Sequence, residues 1–152
     1  MQLAESTLIE QLKILHGKVD GLVKHQASIK TWTVTIWVTL LAALAAQKIV
    51  LPAHVALFAL ASPVVLMWFL DSVHGGIILL LSTQIRELEE RMACGNFDVQ
   101  TTADVFISAR YERHTVRSKA RAFARAVLAE TNALFFVGLL LATYFATRLL
   151  LP

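Results

Sequence analysis

The sequence predicts an all-α integral membrane protein, with three transmembrane helices and cytoplasmic helical extensions assembled as an oligomeric bundle. Two observations carry this. Hydrophobic residues are 57% of the 152-residue chain and charged residues only 16%, against roughly 25% charged in an average soluble protein. The apolar excess is also clustered. Thr31–Gln47 (17 residues), Ile49–Leu70 (22) and Thr131–Thr147 (17) hold no formal charge. Each is close to the roughly 17–25 residues that a helix needs to cross about 30 Å of hydrocarbon. One domain of this size has too little interior to hide three such runs. A soluble enzyme, a disulfide scaffold and a DNA-binding regulator are therefore poor readings. The lone Cys94 makes no intramolecular bridge. About thirty polar-to-amphipathic residues precede the first apolar run, so no cleavable signal is expected.

Charge gives an expected orientation, because Lys and Arg favour the cytoplasmic side. Lys13, Lys18, Lys24 and Lys30 precede the first span, and only Lys48 lies between the first two. Arg86, Arg91, Arg110, Arg113, Arg117, Lys119, Arg121 and Arg125 lie between the second and third, and Arg148 alone follows. The N-terminus and the middle of the chain are thus expected inside the cell, and the Lys48–Pro52 turn and the C-terminus outside. The division that follows is a cytoplasmic amphipathic helix (1–30), a transmembrane hairpin (31–82), a cytoplasmic helical region (83–130) and a third span (131–152).

Taken in order, residues 7–30 form an amphipathic helix, with Thr7 and Glu10 spaced as a capping box. Leu8, Leu12, Leu15, Val19, Leu22, Gln26 and Ile29 recur at alternating spacings of four and three, the seam of a coiled coil with one polar interruption. Such a seam packs on the protein's own cytoplasmic part or joins copies of the chain, and self-association is expected because it has little else to bury against. Gly17 and Gly21 weaken the helix. Trp32 suits an interfacial anchor. The threonines at 31, 33, 35 and 39 and the alanines at 42, 43, 45 and 46 keep the first span slim for close helix contact.

The second span starts near Pro52 and holds Pro63, a kink candidate. Its apolar character runs on to Ile85, which as one helix reaches about 50 Å. The helix is expected to continue beyond the membrane until Gly95, with Gly75-Gly76 as a possible hinge. Thr101 and Asp104 can cap a further helix, expected to run without a break into the third span. Wound at about 100° per residue, Val105, Ala109, Val116, Ala120, Phe123 and Val127 form its apolar stripe. Arg110, Arg113, Arg117, Arg121, Arg125 and His114 occupy a sector of about 120°.

No catalytic, metal or cofactor signature stands out. His16, His25, His54, His74 and His114 are scattered, and no Gly-rich phosphate loop exists. Asp71 and His74 form the most informative polar pair, three residues apart where the second span ends. An ionisable group inside hydrocarbon costs about 3 kcal/mol, so such residues face a bundle interior or water. They are either a polar ring around a conduction path or an interfacial Asp held by a basic residue of the cytoplasmic bundle. The arginine sector is a solvated face, a contact for anionic lipid, or a site for RNA or a nucleotide messenger. No aromatic residues interleave with it as base-stacking platforms.

Ile29-Lys30-Thr31-Trp32-Thr33-Val34-Thr35, Trp68-Phe69-Leu70-Asp71 and Ile85-Arg86-Glu87-Leu88-Glu89-Glu90 together resemble small bacterial membrane proteins of antiviral defence. These are the SLATT-like effectors and the membrane accessory proteins that accompany RNA-targeting CRISPR nucleases. The likeness covers residues 29–95 best. It implies oligomerisation in the bacterial inner membrane and loss of membrane integrity when infection is sensed. Some accessory proteins have been related to HEPN ribonucleases through an Arg and a His at a set spacing. Arg110 and His114 stand closer than that spacing, which argues against nuclease chemistry. The expected function is pore formation or depolarisation, with membrane lipids, other copies of the chain, and a cytoplasmic defence protein or nucleotide signal as partners, and no DNA. Pro63, Asp71, His74, Gly75 and Gly76 are the gating candidates. A non-conducting scaffold and a nucleotide-gated sensor are the alternatives.

Overall fold

A computed structural model describes residues 2–46, 52–94 and 116–150; the side chains of residues 2–5, 7, 8, 91 and 150 lie outside that description. The described chain forms four helices: α1 (Gln2–Ala46), α2 (Ala53–Ala93), α3 (Val116–Val127) and α4 (Glu130–Leu150). Three of them contain segments long and apolar enough to cross a membrane, namely Ile9–Ala46, Ala53–Glu90 and Glu130–Leu149.

The amphipathic segment and the first span are one helix. α1 is 45 residues long, about 68 Å at 1.5 Å per residue. It begins at Gln2, so Thr7 and Glu10 lie inside it and do not cap it, a correction to the expected start. Along its β-branched stretch each threonine hydroxyl is satisfied by a backbone acceptor one turn back. Thr31 donates to the Ala27 carbonyl (3.1 Å), Thr33 to Ile29 (2.7 Å), Thr35 to Thr31 (3.0 Å) and Thr39 to Thr35 (2.7 Å). Space around Gly17 and Gly21 is open. Gly17→Ala and Gly21→Ala should each raise unfolding stability by roughly 0.5–1 kcal/mol, the helix-propensity difference, in denaturant titration of the detergent-purified protein.

α2 starts from Pro52, whose carbonyl accepts from the Val55 and Ala56 amides at 2.9 and 3.2 Å. It passes through Pro63 and ends at Ala93 with Cys94 as its C-cap; Gly95, the expected stop, lies outside the described residues. Its buried stripe is apolar at both ends and polar between: Ala56, Leu60 and Val64, then Asp71 and Ser72, then Leu81, Ile85 and Leu88. Leu15 of α1 packs on the last three, with Leu12, Val19, Leu22, Ile77 and Met92 around them. The seam residues are thus covered from within the chain by α2. Of the two expected packings, the one on the protein's own chain is present: the apolar lower half of α2 covers Leu15 and partly covers Leu12, Val19 and Leu22. Leu8 lies outside the described side chains.

The expected continuous helix into the third span is also corrected. It breaks at Leu128–Ala129, where the Ala129 carbonyl accepts from the Asn132 and Ala133 amides (2.9 and 2.8 Å) and starts α4 afresh. The buried face of α3 is Ala122 and Ala126, while Val116 and Ala120 of the expected stripe are exposed. Small residues win here because α3 sits unusually close to α2. A Cβ on Gly75 would lie 3.0 Å from the Ala126 Cβ, and one on Gly76 would lie 3.3 Å from the Phe123 backbone. Gly75-Gly76, expected as a hinge, is a tight helix–helix contact within unbroken α2. Arg110, Arg113, His114, Thr101 and Asp104 lie outside the described residues.

Polarity in the upper part is inside-out. α4 buries Asn132, Phe136, Thr143 and Thr147 and exposes Leu134, Leu141, Phe145 and Leu149. α2 exposes Phe58, Val65, Leu66 and Phe69, and α1 exposes Trp32, Val34 and Val38. A surface of this kind matches an apolar solvent, in which helix contacts come from small and hydroxyl-bearing residues.

Candidate functional site

Three chain segments reach one level at the base of the apolar half: Lys30 ahead of the first uncharged run, Asp71 after the second and Asn132 at the start of the third. The antiparallel course of α1 and α2, with α4 returning beside them, brings these three side chains together. The Lys30 amine donates to Asn132 Oδ1 at 2.7 Å and lies 4.0 Å from Asp71 Oδ2. Asp71 is fully buried. Among the described residues neither of its carboxylate oxygens accepts a hydrogen bond, so Lys30 is its ionic partner. Gln26, one turn before Lys30, donates from Nε2 to the Asp71 backbone carbonyl at 3.0 Å.

His74 lies on the same side of α2, half-buried. Its ring stands 4.8 Å from that of His25, centroid to centroid, and its Nδ1 lies 2.8 Å from the Leu70 carbonyl. The Asp71 carboxylate thus lies toward Lys30 and α4, while the His74 ring lies against that of His25. Higher in the bundle, Trp37 Nε1 donates to the Thr143 hydroxyl at 2.8 Å, which itself donates to the Leu139 carbonyl at 2.8 Å. Trp68 stacks on the fully buried Phe136, ring centroids 5.9 Å apart.

The chain matches no family model, no curated protein and no solved structure.

Of the sequence candidates, Asp71 joins a built cluster, and Gln26 joins it from the seam through its side-chain amide. Gly75 and Gly76 flank it as a packing contact, and Pro63 lies two turns above it within α2. Arg117, Arg121 and Arg125 are exposed on α3. Reading the sequence by composition missed Lys30, Asn132 and His25. The available signal was depth: Lys30, Asp71 and Asn132 all border uncharged runs at the same predicted boundary. Among the described residues no group of three or more His, Cys, Asp or Glu could hold a metal ion.

Chemically the cluster is a charge lock. A carboxylate held out of water is tolerable only beside its cation, and separating the two costs several kcal/mol. Lys30, Asp71 and Asn132 come from α1, α2 and α4 respectively, so parting any of these helices at this level bares a charged or amide group.

Proposed function

We propose that the protein is a homo-oligomeric effector of the bacterial inner membrane whose output is an ion leak, and that the Lys30–Asp71–Asn132 cluster keeps it closed. The observation that carries this reading is a fully buried carboxylate beside the Lys30 amine where three helices meet. An ionisable side chain bordering a membrane span is a functional-site hypothesis by default. The apolar exposed surface and the positive-inside charge distribution support the membrane and its orientation. The resemblance to SLATT-like and CRISPR-accessory proteins supports antiviral defence as the setting. In this reading a cytoplasmic signal displaces the lower parts of α1 and α2, the lock parts, and water enters at the Asp71 level.

The test is conduction by the purified protein in liposomes loaded with a potential-sensitive dye. Lys30→Met and Asp71→Asn should each raise the leak at least severalfold over the wild type at equal protein density. Proteoliposomes that hold their potential with wild type, both variants and every isolated oligomeric form would overturn the proposal.

One observation favours a second reading. The α1 seam is already covered by α2, which leaves less apolar surface for self-assembly outside the membrane. A non-conducting scaffold that displays its arginine face to a cytoplasmic partner fits that packing. It predicts harmless overproduction and co-purification of the partner.

A further inference from the structure

We propose that α3 lies in the membrane interface and that Arg117, Arg121 and Arg125 bind headgroups of anionic phospholipids in the leaflet level with Lys30, Asp71 and Asn132. The inference rests on the membrane-embedded reading above but not on conduction.

The level of α3 is fixed by its contacts. The Phe123 ring lies 5.4 Å from that of Phe69, two residues above Asp71. A Cβ on Gly75, one turn below Asp71, would meet Ala126 at 3.0 Å. Beyond Ala129 the chain enters α4, whose Asn132 holds Lys30. The C-terminal half of α3 is therefore pinned at the depth where the uncharged runs end.

The face that α3 turns away from α2 has two parts. Arg117, Arg121 and Arg125 stand on successive turns, within about 80° of one another at 100° per residue. All three are exposed, and among the described residues no salt bridge holds any of them. On the same side, just past the end of α3, Leu128 is 75% exposed. A merely solvated charged face accounts for the arginines and leaves the bare Leu128 on their side unexplained. A basic helix face ending in an uncovered leucine, held at the boundary, suits the headgroup–acyl junction. The phosphodiester of an anionic lipid offers oxygens that match the planar guanidinium fork. RNA fits less well, because the one aromatic residue of α3, Phe123, is occupied by Phe69 and gives no platform for a base.

The experiment uses the full chain in nanodiscs with spin-labelled phosphatidylglycerol or phosphatidylcholine, and reads the fraction of motionally restricted lipid. Wild type should prefer phosphatidylglycerol, and the preference should shrink as salt rises. In Arg117→Gln/Arg121→Gln/Arg125→Gln it should fall at least fivefold toward parity, with the same helical circular dichroism. A single Arg148→Gln control, on the far end of α4, should keep the full preference. Equal preference in wild type and triple variant would overturn the proposal. So would single-stranded RNA bound by the wild type, lost in the triple variant and unaffected by lipid charge. Loss of the protein from vesicles at alkaline pH would instead defeat the membrane reading itself, and silence in the conduction assay would leave the lipid result standing.

Discussion

Lys30→Ala should lower the unfolding stability of the detergent-purified protein by about 3 kcal/mol, the low end of what breaking a buried pair costs. The low end applies because the Lys30 side chain is 30% exposed while that of Asp71 is wholly buried. The loss arises less from the pair's attraction than from the carboxylate left behind, dry and without its cation. Asn132 loses the donor to its Oδ1 in the same step. Two comparisons separate this cause from simple truncation. Asp71→Asn removes the charge and should cost far less than Lys30→Ala. The double variant Lys30→Met/Asp71→Leu should recover most of the loss, since replacing both members of a buried pair with apolar groups is often neutral. A double variant no more stable than Lys30→Ala would show that the lysine matters through packing alone. The measurement is the denaturant midpoint followed by tryptophan fluorescence.

Gly76→Leu should cost about 2–3 kcal/mol and release α3 from α2. A Cβ at this position already sits 3.3 Å from both the Phe123 Cα and its amide nitrogen. Those are backbone atoms, so the neighbour cannot swing a side chain aside. Adding a branched side chain forces α3 to move as a body, which places the change at the upper end of overpacking costs. The gain in helix propensity over glycine, up to about 1 kcal/mol, offsets only part of it. Amide exchange reads the outcome locally. Residues 116–127 should lose protection, while the segments around Leu15 and Leu81 keep theirs. Unchanged protection over 116–127 would mean that the Gly76 contact does not hold α3 in place. Gly138→Leu makes a useful contrast, because no atom lies within 4 Å of a Cβ there.

The helices were legible because lipid-length uncharged runs and a heptad-like seam are strong local signals. What decided the packing was not local. The seam at Leu15, Val19 and Leu22 reads the same whether its cover is another chain or the far end of α2. Nothing in a periodicity says that residues 77–92 fold back over it. The break at Leu128–Ala129 carries neither glycine nor proline, so no helix-stop signal marks it; the close seat of Ala122 and Ala126 on the two glycines accompanies the break, and glycines read alone suggest flexibility more readily than contact. Asp71 stood out because a charge after 22 uncharged residues is conspicuous. Lys30 did not, because a lysine before a span is ordinary, and only the three-dimensional arrangement gives it a partner 41 residues away.

The 45 unbroken residues of α1 act as a single drive shaft. No break interrupts it, so Gln26, Lys30 and Trp37 ride on the same rod as Leu15. Those three side chains hold the Asp71 carbonyl, the Asp71 carboxylate with Asn132, and Thr143. Displacement of the Leu15 end is thus coupled directly to three polar fastenings between α1 and its neighbours, in addition to the His16–Glu89 contact at 3.7 Å.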